Sequence, residues 1–259
     1  MSVHPIGDQL TLEHFKELEP TLYSLHSGFI EEYATDLDAM QPRFAQRHDP
    51  QQTIDKERFI NLLGIDVDHA THPISQWDIA RLMIANRALY GLSHQETYLL
   101  LVAEVTHDFG EAPQQKDIPY GDKSIHDEFS EQKHWVQVVE RVAPGHLNNL
   151  LLEQVQPIIF DDAHPLHNLF AVSERIGYLN TGLRAARLAH TRIARSQLSG
   201  QHLTTDEKTV LASIAQDVHI RHRDYVPKMA PLHPVLHRMI QMNASVWQLL
   251  DQQAVPKVQ

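Results

Sequence analysis

The chain has 259 residues, 42% hydrophobic and 21% charged, which is globular composition and enough length for one compact core with extensions at its ends. Lys and Arg number 22 against 33 Asp and Glu, and the resulting formal charge of -11 opposes attraction to phosphate backbones and anionic lipid, so no nucleic-acid polymer and no membrane is expected as a partner. There is no cysteine, which removes disulfides, thiolate zinc sites, iron-sulfur clusters and cysteine nucleophiles, while 19 histidines leave imidazole and carboxylate to hold any metal. The opening residues lack a basic start followed by an apolar stretch. The longest clean apolar run, Tyr98 to Ala103, is far shorter than the roughly 20 residues of a membrane span, and a soluble cytoplasmic protein is expected.

Apolar residues recur at helical spacing and sustained alternation is hard to find, so the chain reads as all-α. Residues 11–40 read as one or two helices interrupted near Pro20, and 41–53, with two prolines, as a loop. Ile79, Leu82, Met83, Ala85 and Leu89 form a stripe that stops at Gly91, a place for a left-handed cap, and Ser93 opens the next helix. That helix, through Tyr98 to Val105, is apolar on all sides and belongs at the centre of the core. Between Asp108 and Ile125 the periodicity fails, and Gly110, Pro113, Pro119 and Gly121 mark an irregular segment of a length that is often functional. Helical spacing resumes over 128–142 and about 147–159, and His164-Pro165 reads as the start of the longest helix, through Leu198. Thr204 to Glu207 is a capping-box pattern, and a last helix is expected over 234–250. Three segments follow: an N-terminal helical extension over 1–66, a central domain over 67–200 and a C-terminal extension over 201–259, the extensions expected to cover a site or to form a homodimer.

Three His-Asp dipeptides occur, but His48-Asp49 precedes Pro50 in a loop and His126-Asp127 begins a polar helix. Only His107-Asp108 ends a run that must be buried, where a charged pair needs partners or a metal. Imidazole plus carboxylate suits Mn, Fe, Co or Zn, and a nearby Glu or Asp can take or give a proton. The cluster Asp161, Asp162, His164, His167 sits shortly before Glu174, and His167 shares a helical face with Glu174, which permits a second metal. His219, His222, His233 and His237 have helical spacing without a carboxylate or burial signal, and Trp77, Trp135 and Trp247 read as core. No glycine-rich phosphate loop is present.

His72, His107-Asp108 and a later carboxylate resemble the H…HD…D pattern of the HD-domain superfamily of metal-dependent phosphohydrolases. The resemblance spans roughly residues 69–180. It implies an HD-type helical bundle in which His72, His107, Asp108 and Glu174, the last in place of the usual Asp, ligate a divalent metal. His69 and Ser75 are the alternatives at the first ligand position. Glu111, Asp117-Ile118-Pro119 and Asp122-Lys123 are similar to the bacterial 5'-deoxynucleotidase-like branch. That likeness implies proton handling by Glu111 and Asp117 and a small phosphorylated substrate, most plausibly a nucleoside 5'-monophosphate. Lys123 is suited to meet the phosphate as a point charge. The expected cofactor is one divalent ion or two, drawn from Mn, Co, Fe, Zn and Mg. Two other readings stay open: a di-iron oxygenase on the same scaffold, favoured by ligation through His164 or His167, and a non-catalytic ligand-binding or assembly protein.

Overall fold

Pro20 lacks an N–H and cannot extend a helix from upstream, but it suits the first turn of a new one. Accordingly Leu12–Leu18 (α1) stops before it and Pro20–Glu32 (α2) begins on it, followed by Ala34–Ala39 (α3). The computed structural model describes residues 12–45, 54–64, 67–85, 87–118, 123–199 and 204–223, and among these every regular element is helical. The all-α expectation holds. The expected helix over 234–250 lies outside the described residues, as do 46–53, 119–122, His233, His237, Trp247 and the side chains of His219 and His222.

Lys56–Leu63 (α4) is capped by Asp55, whose side chain accepts the Arg58 N–H at 2.8 Å. His72–Met83 (α5) ends before the stripe does, residues 87–90 form a single 3-10 turn, and Gly91 has the left-handed φ of +67° expected of it. His94–Thr106 (α6) opens with a reciprocal capping box: Ser93 Oγ accepts the Glu96 N–H at 3.1 Å and Glu96 accepts the Ser93 N–H at 2.8 Å. Leu99 through Thr106 are all buried, so α6 is a core helix as its composition requires.

After α6 the chain tightens into 3-10 turns over His107–Gly110 and Ala112–Gln114, then enters Ile125–Val142 (α7), itself capped by a Ser124/Asp127 box. Gly145–Leu150 (α8) and Gln156–Phe160 (α9) are joined by a π turn over Leu151–Val155. Pro157 cannot donate to an upstream carbonyl, and the wider turn before it accommodates that loss. His167–Ser199 (α10) starts beyond His164-Pro165, which lies in the preceding turn, and Thr205–Arg223 (α11) begins on the expected Thr204/Glu207 box.

The chain divides into two compact units, one of the residues up to Gln41 with Asp68–Glu174, the other of Pro42–Val67 with the residues from Arg175 onward. The stretch read as an N-terminal extension is therefore shared: α1 to α3 belong with α5 to α9, and α4 belongs with α11 and the later part of α10. In the first unit Phe15 meets Trp77 edge-on at 5.0 Å and Phe29 stacks on Phe109 at 4.1 Å. These contacts tie α1 to α5, and α2 to the turn after α6. In the second unit the Arg184 guanidinium donates to the Leu63 carbonyl at 2.8 Å, and Arg58 pairs with Glu207 at 3.1 Å. No helix among the described residues is long and apolar enough to cross a membrane.

Candidate metal centre

The buried end of α6 carries the first candidate ligands. Its last carbonyl, on Thr106, accepts the indole N–H of Trp135 from α7 at 2.7 Å, and both residues are fully buried. Gly110 allows this docking: a Cβ there would lie 2.4 Å from the Glu131 carbonyl oxygen, so α7 passes over the turn with no room for a side chain. His107 donates its Nδ1–H to the Glu104 carbonyl at 2.8 Å, which turns Nε2 inward.

That nitrogen lies 3.0 Å from Asp108 Oδ1 and 3.1 Å from Glu174 Oε1. His72, at the start of α5, brings Nε2 to 3.7 Å from Asp108 Oδ2. Of the four residues expected as metal ligands, His72, His107 and Asp108 thus form one group, with Glu174 beside His107, and of His72, His69 and Ser75 it is His72 that lies in this group. Burial alone would lower the His107 pKa, but the Asp108 and Glu174 carboxylates raise it to about 9. A ring nitrogen held between two carboxylate oxygens calls for positive charge there, a proton or a metal cation, and the donor set of two imidazoles and two carboxylates fits a borderline divalent ion. Its atoms from His72, His107 and Asp108 all lie within 4.8 Å of one another.

Beside this group lies a second, of His69, Glu111 and Asp117, whose ligand atoms also all lie within 4.8 Å of one another. Buried His, Asp and Glu side chains therefore form two groups that can hold a metal ion. No family model, curated protein or solved structure matches the chain. What can be said of the site comes from its own geometry.

Glu111 follows Asp108 by one tight turn, its N–H donating to the Asp108 carbonyl at 3.0 Å. Burial, then Asp108 and Asp117, push its carboxyl well above the usual range, and Lys123 opposes them. Lys123 lies 3.8 Å from Glu111 Oε1 and 2.6 Å from Glu131 Oε2. Burial would lower its ammonium, but Glu111 and Glu131 more than offset that and hold it charged. The structure so places Glu111, Asp117 and Lys123 together, as the sequence reading requires.

The cluster before Glu174 that was read as permitting a second metal does not gather at the site. His167 donates Nδ1–H to the Ile158 carbonyl at 2.9 Å and turns Nε2 to Asp162, 3.1 Å away on a carboxylate that is 97% exposed. His164 Nδ1 accepts the Leu166 N–H at 3.2 Å, and Asp161 accepts the Ala163 N–H at 2.9 Å. These are local turn contacts before α10. The helical periodicity that put His167 on the face of Glu174 is correct, yet the Phe170 ring stands between, 6.2 Å from the His167 ring and 6.0 Å from that of His107.

Three buried polar positions near the site were missed. Glu104 is fully buried, its carboxyl raised well above the usual range by burial and bonded by the Ser173 hydroxyl. A lone carboxylate in an apolar helix one turn before His107 was the available signal. His26, also fully buried, donates Nε2–H to the Ala70 carbonyl at 2.6 Å and so braces the segment between His69 and His72. Glu131 is buried on the face of α7 that carries Trp135 and Val138, four and seven residues on, and that spacing was the available signal.

Proposed function

We propose that this chain is a divalent-metal-dependent phosphohydrolase of HD type, acting on a small phosphorylated metabolite and, by its resemblance to the deoxynucleotidase-like branch, on a nucleoside 5'-monophosphate. The observation that carries the reading is the buried group of His72, His107 and Asp108, with the half-buried Glu174 carboxylate 3.1 Å from His107 and further acids and a cation beside it. These four residues would hold the ion, which supplies a polarised phosphoryl oxygen and a water of lowered pKa. The backbone carbonyl of Glu104 and the indole of Trp135 fix the orientation of the histidine and of the turn that bears it. Asp117, half-buried, is placed to take the proton of the attacking water. Glu111, with its raised carboxyl, keeps a proton to give to the leaving oxygen. Lys123 has three N–H donors and two glutamate neighbours, so one donor is left to meet a phosphate oxygen.

The oxygenase reading loses the feature that favoured it, since His164 and His167 make local contacts. Metal content by mass spectrometry, measured on wild type beside His107→Ala/Asp108→Ala, followed by a phosphate-release screen with Mn, Co, Mg and Fe, tests the proposal. Bound metal lost in the double variant, with turnover of a nucleoside monophosphate, is expected. No metal in either protein and no release after metal addition would refute it and leave a binding or assembly role. About two irons per chain, with oxygen uptake and no phosphate release, would point to the oxygenase instead.

A further inference from the structure

The rings of His72 and His107 lie 5.5 Å apart, which brings the start of α5 to the end of α6. The short connection between the two helices makes them antiparallel where they pack, so one turn onward along α5 lies beside one turn back along α6. Those positions are Gln76 and Glu104, polar residues only 1% and 0% exposed. The third member comes from the start of α10: Ser173, also 0% exposed, donates its hydroxyl to Glu104 Oε1 and lies 3.1 Å from the Phe170 carbonyl. Beneath His72, His107 and Glu174 there is thus a polar layer of Gln76, Glu104 and Ser173, drawn from the same three helices.

Three atoms of this layer, Gln76 Oε1, Gln76 Nε2 and Glu104 Oε2, are buried without a hydrogen-bond partner among the described residues. Bare amide and carboxyl groups are costly in an apolar interior. A water molecule both donates and accepts, and so serves all three atoms.

The layer also bears on the group above it. Ser173 directly precedes Glu174, whose carboxylate reaches His107 Nε2 at 3.1 Å. Of the four candidate ligands Glu174 has the most exposed side chain, 23% against 10% or less for the others. A long side chain open to solvent loses more rotamer freedom when it is held in one place, so the backbone that carries it must be well anchored. The buried bond from Ser173 to Glu104 is such an anchor, tying the turn that bears Glu174 to the helix that bears His107.

We propose that Gln76, Glu104 and Ser173, closed around one enclosed water, position Glu174 against His107 and so set the affinity of the candidate metal group. All three are positioning residues that act through Glu174. The inference rests on the proposed function only in taking His72, His107, Asp108 and Glu174 as metal ligands.

The test is calorimetric titration of the chelator-stripped full-length protein with Mn, with circular dichroism to verify folding. Ser173→Ala and Glu104→Leu should each weaken Mn binding about tenfold, the lower end of what loss of an outer partner of a metal ligand costs. Glu104→Gln keeps an acceptor for the Ser173 hydroxyl and should recover most of that affinity. Gln76→Leu should weaken binding less, and adding it to Glu104→Leu should change nothing further, since both residues reach the same water. In a Glu174→Ala background Ser173→Ala should have no additional effect, a result that general loosening of the fold would not give. Wild-type affinity in folded Ser173→Ala and Glu104→Leu overturns the positioning role and leaves the metal reading intact, and so does an equal loss with and without Glu174. Additive losses in Gln76→Leu and Glu104→Leu overturn the shared water. No Mn on wild type overturns the metal reading and the positioning role with it.

Discussion

Replacing His26 by Gln should make the protein less sensitive to acid. His26 is fully buried, and burial lowers its pKa to about 4 against the opposing pull of the Ala70 carbonyl and Asp68. A histidine depressed in the folded state contributes stability that is complete above its unfolded value, near 6.5, and is lost as pH falls toward the folded value, because only the unfolded chain takes up the proton in between. An unfolded value of 6.5 and a folded value of about 4 correspond to a loss of about 2 kcal/mol by about pH 5 and about 3 kcal/mol below about pH 4. Gln can still donate to Ala70 but does not titrate, so the stability difference between wild type and His26→Gln isolates this one group from every other that titrates. Urea unfolding at about pH 7.5 and about pH 5 measures it, with the difference expected to shift against wild type by about 2 kcal/mol. A difference that stays constant across that range would refute the claim that His26 is held neutral in the fold.

Gly110→Ala should destabilise by about 2–3 kcal/mol, more than a Gly→Ala change in open space, because the obstructing atoms are backbone of α7; thermal unfolding reads the loss, and an unchanged midpoint would deny the close approach. Trp135→Phe removes the donor to the buried Thr106 carbonyl and should cost about 1–3 kcal/mol in chemical denaturation, a neutral outcome arguing that the carbonyl finds another partner. Ser93→Ala breaks the box that opens α6 and should cost about 1 kcal/mol, whereas Ser93→Gly should cost only a few tenths.

Much of the helical frame was legible because its determinants are local. Ser93 with Glu96, Thr204 with Glu207, Gly91 and Pro20 act over one turn of chain, and the apolar run ending at His107 announced its own burial. The four expected ligands were legible for a different reason: their residue types and order resemble a family pattern, although nothing about composition would have joined Glu174 to them. What escaped depends on pairing between segments distant in sequence. Whether His69 turns toward Glu111 is decided by the Gln41 carbonyl, and whether His167 reaches the site is decided by where Phe170 lies. The value of Gly110 is decided by the path of α7. Periodicity places a residue on a face and says nothing of what that face meets.

The two candidate ligands at the end of α6 are contiguous, but His72 and Glu174 join them only through chain that must first fold. An unfolded chain therefore offers a cation little more than His107-Asp108, with an affinity far below that of the assembled set. Mass action then makes any ion bound there a stabiliser of the native state by almost its full binding free energy, about 4 kcal/mol at a thousandfold excess over the dissociation constant. Such an ion would raise the melting temperature with its concentration, and chelation would leave the chain folded by its aromatic and aliphatic core yet closer to its unfolding threshold.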